Sequence, residues 1–325
     1  MAKFRILSID GGGIKGVFPA SFLAVIEDCL PEPIHRYFDL IAGTSTGGII
    51  ALGLGFGLKA GDLLSFYTER GPRIFPAARR NFFWRARHPR LLVPRYNPSQ
   101  LRAALEEVFG ETKLGELKSR LIIPSLNAAS GDIHIYKTPY HPRLQLDYKV
   151  RVVDVALATS AAPTYLPTHI SPEGIPFLDG GLWANNPTGL AVVDAVAMLN
   201  VSRENIEVLS LGCTRAPHNF AKIGDKGELA WARNAIYAAM SGQSFASMGT
   251  AYQLVGHASV VRIDAEVEPG RFELDRTEHL EELRGLGYAK ARHELPNLKP
   301  RFFTQPAPLF EPHYTSTNSR QDRNH

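Results

Sequence analysis

Phe38-Asp39-Leu40-Ile41-Ala42-Gly43-Thr44-Ser45-Thr46-Gly47-Gly48-Ile49-Ile50-Ala51-Leu52 carries two kinds of secondary-structure signal with a single tight turn between them. An apolar run the length of a buried strand meets a glycine–serine–glycine turn, and an apolar run resumes at once. Residues 43–47 match the G-x-S-x-G elbow, in which a strand turns sharply into a helix and holds the serine in strained backbone with its hydroxyl exposed. Gly43 and Gly47, two residues either side of Ser45, let strand and helix approach without clashing Cβ atoms. The following helix points its positive end at the serine, which favours developing negative charge. The expectation is a strand over 38–42, a helix over 46–54 and a candidate nucleophile, Ser45, between them.

Working outward, residues 4–9 read as a buried strand ended by Asp10-Gly11-Gly12-Gly13. Residues 17–30 carry Phe18, Phe22, Val25, Ile26 and Cys29 at helical spacing, and Pro31 and Pro33 stop the helix. Strand, helix, strand, helix in this order implies a parallel sheet with covering helices. Downstream, helices are expected over 98–109 (Asn97 as N-cap), 151–161, 190–199, 230–248 and 276–295. Strands are expected over 121–128, 133–137, 176–178, 206–211 and 259–263, with a hairpin signal at Ser130-Gly131-Asp132. The predicted class is α/β, a mostly parallel central sheet flanked by helices. There is no internal repeat or obvious linker, so one domain over 1–312 is expected, followed by a polar, disordered tail over 313–325.

Composition narrows the function classes. A chain of 325 residues can bury a core without staples, and its two cysteines, Cys29 and Cys213, rule out a disulfide framework and suit a reducing compartment. CxxC, HExxH and His/Cys clusters are all missing, so neither a metal nor another cofactor is expected. The N-terminus has no signal-peptide pattern, and the most apolar segment, about 11 residues over 48–58 and rich in glycine, is too short to span a bilayer. A soluble cytosolic protein is expected. The net charge of +4 is modest, but 79–95 holds six arginines and His88 with no acidic residue, and Phe82, Phe83 and Trp84 lie within it. Three readings of that stretch stand: a solvated basic loop, a patch for anionic lipid headgroups, or a site for a phosphorylated ligand such as a nucleotide. Arg79, Arg80, Arg85 and Arg87 are the candidate contacts.

Two further segments bear on Ser45. In Asp10-Gly11-Gly12-Gly13-Ile14-Lys15-Gly16, successive glycines after a strand leave backbone N–H groups free to converge on an anion at a helix start. In an acyl hydrolase that anion is the tetrahedral oxyanion. Gly11-x-Gly13-x-x-Gly16 also matches the dinucleotide fingerprint, but the second strand ends in the serine elbow rather than in a ribose-binding carboxylate, and Asp39 stands at that strand's start. A Walker A loop would need Lys and Ser/Thr after Gly16, where Val17 and Phe18 stand. Asp179-Gly180-Gly181 puts a carboxylate at the end of a short strand, a candidate base for Ser45, although Asp-Gly-Gly is a common turn. A late histidine, as in α/β-hydrolase triads, stays open at this stage: His218, His257, His279 and His293 qualify by position, and His169 is a further candidate. Lys15 is either a phosphate contact or a solvated helix-start lysine.

Asp-Gly-Gly-Gly-Ile-Lys-Gly at 10–16, Gly-Thr-Ser-Thr-Gly-Gly at 43–48 and Asp-Gly-Gly at 179–181 resemble the three signature blocks of patatin-like phospholipases. Ala158-Thr159-Ser160-Ala161-Ala162-Pro163-Thr164-Tyr165 and Asn185-Asn186-Pro187 are similar to further blocks of that family, and the matches run in order over about residues 5–215. The resemblance implies a three-layer sandwich and a Ser-Asp dyad without histidine or calcium. Ser45 is then the nucleophile, Asp179 the general base, and the amides of Gly11, Gly12 and Gly13 the oxyanion hole. It implies a membrane phospholipid substrate, met at the inner face of the membrane, with no duplex DNA or RNA partner. Compact bacterial members include anti-phage effectors switched on by cyclic di- or trinucleotides, so a nucleotide activator is one expectation and a constitutive lipase the other. A homodimer is compatible with the sequence.

Overall fold

The computed structural model describes residues 3–76, 94–217, 221, 224 and 227–315, with backbone alone at 228–230, 232–233 and 236. Arg79, Arg80, Arg85, Arg87 and His218 therefore lie outside the described residues.

The two apolar runs flanking the elbow form what their patterns predict. β1 (Phe4–Ile9) and β2 (Leu40–Gly43) are parallel neighbours, with Ile9 level with Gly43. The order across the described sheet is β5 (His169–Ile170), β6 (Pro176–Asp179), β3 (Leu121–Asn127), β2, β1, β7 (Ile206–Leu211) and β8 (Val260–Ile263), with β4 (Ile133–Lys137) paired to the other side of β3. β3, β2, β1, β7 and β8 run parallel. β4, β5 and β6 complete an antiparallel margin. The hairpin between β3 and β4 closes at the expected turn, where Gly131 takes φ 78° and donates to Asn127 O. Successive strand residues face opposite layers. Leu7, Ile9, Ile41 and Leu209 join one core, with helices Val17–Glu27, Thr46–Phe56, Val152–Thr159 and Leu280–Phe302. Ile6, Leu40, Ala42 and Val208 join the other, under helices Thr188–Ala197 and Glu228–Val255. The result is helix, sheet, helix: the α/β three-layer sandwich.

The register carries the functional consequence. β2 pairs with β3 only at Ile41–Leu121 and Ala42–Ile122, because the chain leaves the sheet after Gly43. β3 continues, and its vacated edge is taken by β6 running the other way, with Ser125 opposite Asp179. Three residues past the Ala42–Ile122 pair on both strands are Ser45 and Ser125, so the register alone brings Asp179 to the level of the elbow serine.

Several boundaries differ from expectation. The last helix starts at Leu280 rather than 276 and runs to Phe302, passing through Pro296 and Pro300. Each proline forfeits a backbone hydrogen bond, but Leu298 and Phe302 are buried and Phe302 and Phe303 pack on Phe38. Aromatic burial there outweighs local propensity. The helix expected over 230–248 extends to Val255, where Ala251 is buried and Gly256 turns at φ 82°. Helix Ser99–Phe109 begins one residue late, its Ser99 N–H capped by the Asn97 side chain at 2.9 Å. The first helix ends at Glu27, and Ala60–Ser65 and β5 were not anticipated. His313 and Tyr314, assigned to the tail by composition, dock: His313 N donates to Pro139 O, and Tyr314 stacks on Tyr148.

Helix Leu280–Phe302 lies directly on Val17–Glu27, where Ser21 Oγ donates to Arg284 O at 2.8 Å. A Cβ at Gly287 would stand 2.4 Å from Phe18 O, whereas one at Gly285 meets nothing within 4 Å. Gly285→Ala is therefore expected to stabilise by up to about 1 kcal/mol through helix propensity. Gly287→Ala should destabilise by about 1–3 kcal/mol through the backbone clash. Paired denaturant melts check the contrast, and equal shifts would refute the close approach.

Candidate active site

Three loops meet at the carboxyl ends of the parallel strands, where open α/β sheets place their sites. Ser45 sits at the turn with φ 54° and ψ −120°, a strained conformation for a residue with a side chain. The turn is that tight because a Cβ on Gly43 would lie 2.1 Å from Gly47 O, and one on Gly47 2.3 Å from Ile9 O. Ser45 Oγ donates to Asp179 Oδ2 at 2.7 Å, and Asp179 Oδ1 accepts from Gly181 N at 2.6 Å. Asp179 is buried, and burial lifts its carboxyl to about 6, the Gly181 and Ser45 hydrogen bonds pulling only partly back. Among the described residues no cation counters that rise. An aspartate with this pKa is a stronger base than one in water, yet still largely ionised at neutral pH.

Thr159 joins the two halves of the pair. Its Oγ1 accepts from Ser45 N at 3.0 Å and donates to Pro124 O at 2.6 Å, while its carbonyl accepts from Gly180 N at 3.3 Å. Its neighbour Ala161 accepts from Asp179 N at 3.0 Å. One buried threonine thus touches the backbone of Ser45 and the turn that carries the Asp179 carboxylate. The block 158–165 was singled out in the sequence, but nothing there marked Thr159 as this junction.

The glycine loop departs from expectation at one position. Gly11 N–H donates to Asn185 O at 2.9 Å, so that amide is already committed and is not available to an oxyanion. Gly12 and Gly13 remain, and their amides have no protein acceptor among the described residues. Gly13 requires glycine on two counts, its φ of 58° and a Cβ position 2.2 Å from Leu274 O. The last glycine of the apparent dinucleotide fingerprint has another reason to be there: a Cβ on Gly16 would meet Thr46 Oγ1 at 2.2 Å. Ile14 N is spent on Leu274 O, and Asp39 Oδ2 accepts Arg5 N at the far end of the sheet. The nucleotide-loop reading therefore lacks the amides of Gly11 and Ile14 and has no ribose carboxylate at the end of the second strand. Lys15 turns inward rather than lying free in solvent. It is half-buried with Nζ on Thr214 O at 3.3 Å, and burial lowers its pKa.

Ser45, Asp179, Gly12 and Gly13 open onto a cavity of about 200 Å³ with an apolar wall that includes Ile14, Ile49, Phe66, Leu182 and Met240. No described histidine lines it. His169 is buried beside Asp154 at 3.5 Å, His257 stacks on Tyr252, His279 pairs with Glu282, and exposed His293 neighbours Glu294. No group of three or more His, Cys, Asp or Glu that could hold a metal occurs among the described residues. Both cysteines are free. Among the described residues no helix is long and apolar enough to cross a membrane. Chemically, the arrangement offers a strained serine hydroxyl, a desolvated carboxylate to take its proton, and two amides beside an apolar cavity.

The family model described as patatin-like phospholipase matches residues 7–192. Similar curated proteins include a cGAMP-activated phospholipase of Pseudomonas aeruginosa, 38% identical over 215 residues, 64% of this chain and 62% of that one. Another, from Vibrio cholerae, is 39% identical over 198 residues, 57% of this chain and 56% of that one. Patatin-like protein 1 of Oryza sativa subsp. indica is 35% identical over 221 residues, 61% of this chain and 53% of that one. The chain thus spans between about half and three-fifths of the length of these relatives.

If Thr159 holds the elbow, removing only its hydroxyl should slow reactions at Ser45. Thr159→Val is expected to react with a fluorophosphonate serine label on the order of 10²-fold more slowly, the cost of a small misplacement, while Thr159→Ser stays near wild type. Equal labelling of Thr159→Val and wild type would remove Thr159 from this role.

Proposed function

The chain belongs to the patatin-like phospholipase family, and on that premise we propose that it is a phospholipase A that cleaves fatty acyl esters of membrane glycerophospholipids through a Ser45–Asp179 dyad. The observation that carries the reading is the 2.7 Å hydrogen bond from Ser45 Oγ to a desolvated carboxylate at the wall of an apolar cavity.

In this mechanism the acyl chain lies along the apolar wall and presents its carbonyl to Ser45. Asp179 takes the hydroxyl proton as Ser45 Oγ attacks, and the carbonyl oxygen becomes an oxyanion facing the Gly12 and Gly13 amides. The amino end of helix Thr46–Phe56 adds a favourable dipole. Asp179 returns the proton to the departing glycerol oxygen, leaving an acyl-enzyme. Water, deprotonated by Asp179, then releases the fatty acid. The Gly181 amide on Oδ1 keeps Oδ2 turned toward Ser45 throughout.

The test is release of fatty acid from phosphatidylglycerol and phosphatidylethanolamine vesicles. Ser45→Ala and Asp179→Asn should both sit at background, and a wild type no faster than Ser45→Ala both with and without cyclic nucleotides would falsify the hydrolase reading. The base is functional only when ionised. Activity should therefore be lost as pH falls through about 6 and level off about one unit above it. An acid limb centred near 4 would mean that Asp179 is not desolvated in the working enzyme.

Control of the activity is proposed from the relatives. Two of them are named cGAMP-activated phospholipases, and on that similarity we infer a cyclic oligonucleotide activator for this chain, acting at the inner face of a membrane. Adding a panel of cyclic di- and trinucleotides to the vesicle assay should raise the rate with one member and leave Ser45→Ala at background. A wild-type rate that is high without nucleotide and unmoved by the panel would favour the constitutive lipase.

A further inference from the structure

We propose that Arg262, on β8, is a positioning residue for the oxyanion loop. By gripping Asp10 it fixes the direction in which the Gly12 and Gly13 amides point. The proposal rests on the hydrolase reading above and names a residue outside the segment 7–192 that the family model matches.

The guanidinium meets both oxygens of the Asp10 carboxylate: Nη1 donates to Oδ1 at 3.0 Å and Nη2 to Oδ2 at 2.6 Å. This two-point contact of a planar fork fixes orientation as well as distance. Arg262 is itself held, with Nη2 donating to Asp264 Oδ2 at 2.8 Å and Nη1 to Ser210 Oγ at 2.8 Å. Ser210 Oγ lies 2.9 Å from Thr188 Oγ1, which donates to Ser8 Oγ at 2.9 Å. The grip is thus tied into β7, β1 and the start of helix Thr188–Ala197. The backbone of Asp10 is pinned as well: its N–H donates to Leu211 O at 2.9 Å, and its carbonyl accepts from Cys213 Sγ at 3.3 Å. Every polar atom of Asp10 is therefore engaged.

Beyond Asp10 come the three glycines, the part of the loop with the greatest backbone freedom. Gly11 is held by Asn185 O and Ile14 by Leu274 O, so the pair Gly12 and Gly13 hangs between fixed points. Oxyanion donors contribute because they are aimed before the charge appears. A partly buried ion pair such as Asp10–Arg262 adds little to stability over apolar packing, since desolvating the charges offsets their attraction. What it does supply is a fixed geometry at the first residue of the loop. Loss of that geometry should act on the transition state and leave ground-state binding in the apolar cavity alone.

The experiment measures kcat and KM on a soluble nitrophenyl ester, under the condition in which wild type turns over and Ser45→Ala does not. Thermal melts of the same preparations report folding. Arg262→Ala is expected to lose on the order of 10²-fold in kcat with KM unchanged. Its side chain is 23% exposed, so free guanidinium ion at millimolar concentration should restore part of the rate. Asp10→Asn in the Arg262→Ala background should cost nothing further and abolish that rescue. Arg262→Lys and Asp10→Asn singly should lower kcat and not KM, and they carry the test if Arg262→Ala does not fold. Unchanged kcat in the folded variants, a loss expressed in KM, or rescue that persists without the Asp10 carboxylate would overturn the proposal. A wild type indistinguishable from Ser45→Ala in every condition would instead remove the hydrolase reading, and this proposal with it.

Discussion

The structure turns on a handover at one strand edge. β2 leaves the sheet at Gly43, and β3 runs on for five residues beyond its last pair with β2. Those residues would present unpaired backbone groups in the protein interior, which is costly. β6 satisfies them by running antiparallel along the same edge, Ser125 facing Asp179 and Asn127 facing Phe177. The carboxylate reaches the serine because the backbone of β3 needs a partner where β2 stops. The block 158–165 then fits over the junction, with Thr159 bonded to both sides. Elbow, carboxylate and the block between them meet where one hydrogen-bonding requirement is satisfied.

Two aspartates follow strand residues at this end of the sheet, in opposite electrostatic settings. Asp179 is buried with only neutral donors, Ser45 and Gly181, and burial raises its pKa toward neutrality. Asp10 is buried too, and burial raises its pKa as well, but a guanidinium covers both of its oxygens and pulls against that rise. The first keeps a lone pair available for a proton. The second has none free and serves as an anchor. Environment divides the roles of chemically identical side chains, as it does in other two-carboxylate sites.

The cavity draws on the whole chain. Its floor comes from the elbow and the glycine loop, while Tyr237, Met240 and Leu274 come from the part of the chain after residue 192. Leu274 has a second task, since its carbonyl accepts from Ile14 N and stands where a side chain on residue 13 would project. The last third of the molecule thus bounds the site and fixes the loop across from Ser45, in addition to covering the sheet.

Elements whose signals are local could be read from the amino-acid order alone. The 38–52 stretch, the strands at 4–9 and 206–211 and the candidates Ser45 and Asp179 were legible because strand runs, turn glycines and helical periodicity are written in neighbouring residues. Family resemblance raised Asp179 from one candidate base, with a late histidine still open, to the partner of Ser45. Tertiary structure decided what depends on partners far away. It committed the Gly11 amide to Asn185, turned Lys15 inward to Thr214, and drew the last helix through two prolines to bury Phe302. It also brought Thr159 and Arg262 to the site, residues that carry no motif of their own. Hydrogen-bond satisfaction and burial are settled by what lies opposite a residue, and that is known only once the chain has folded.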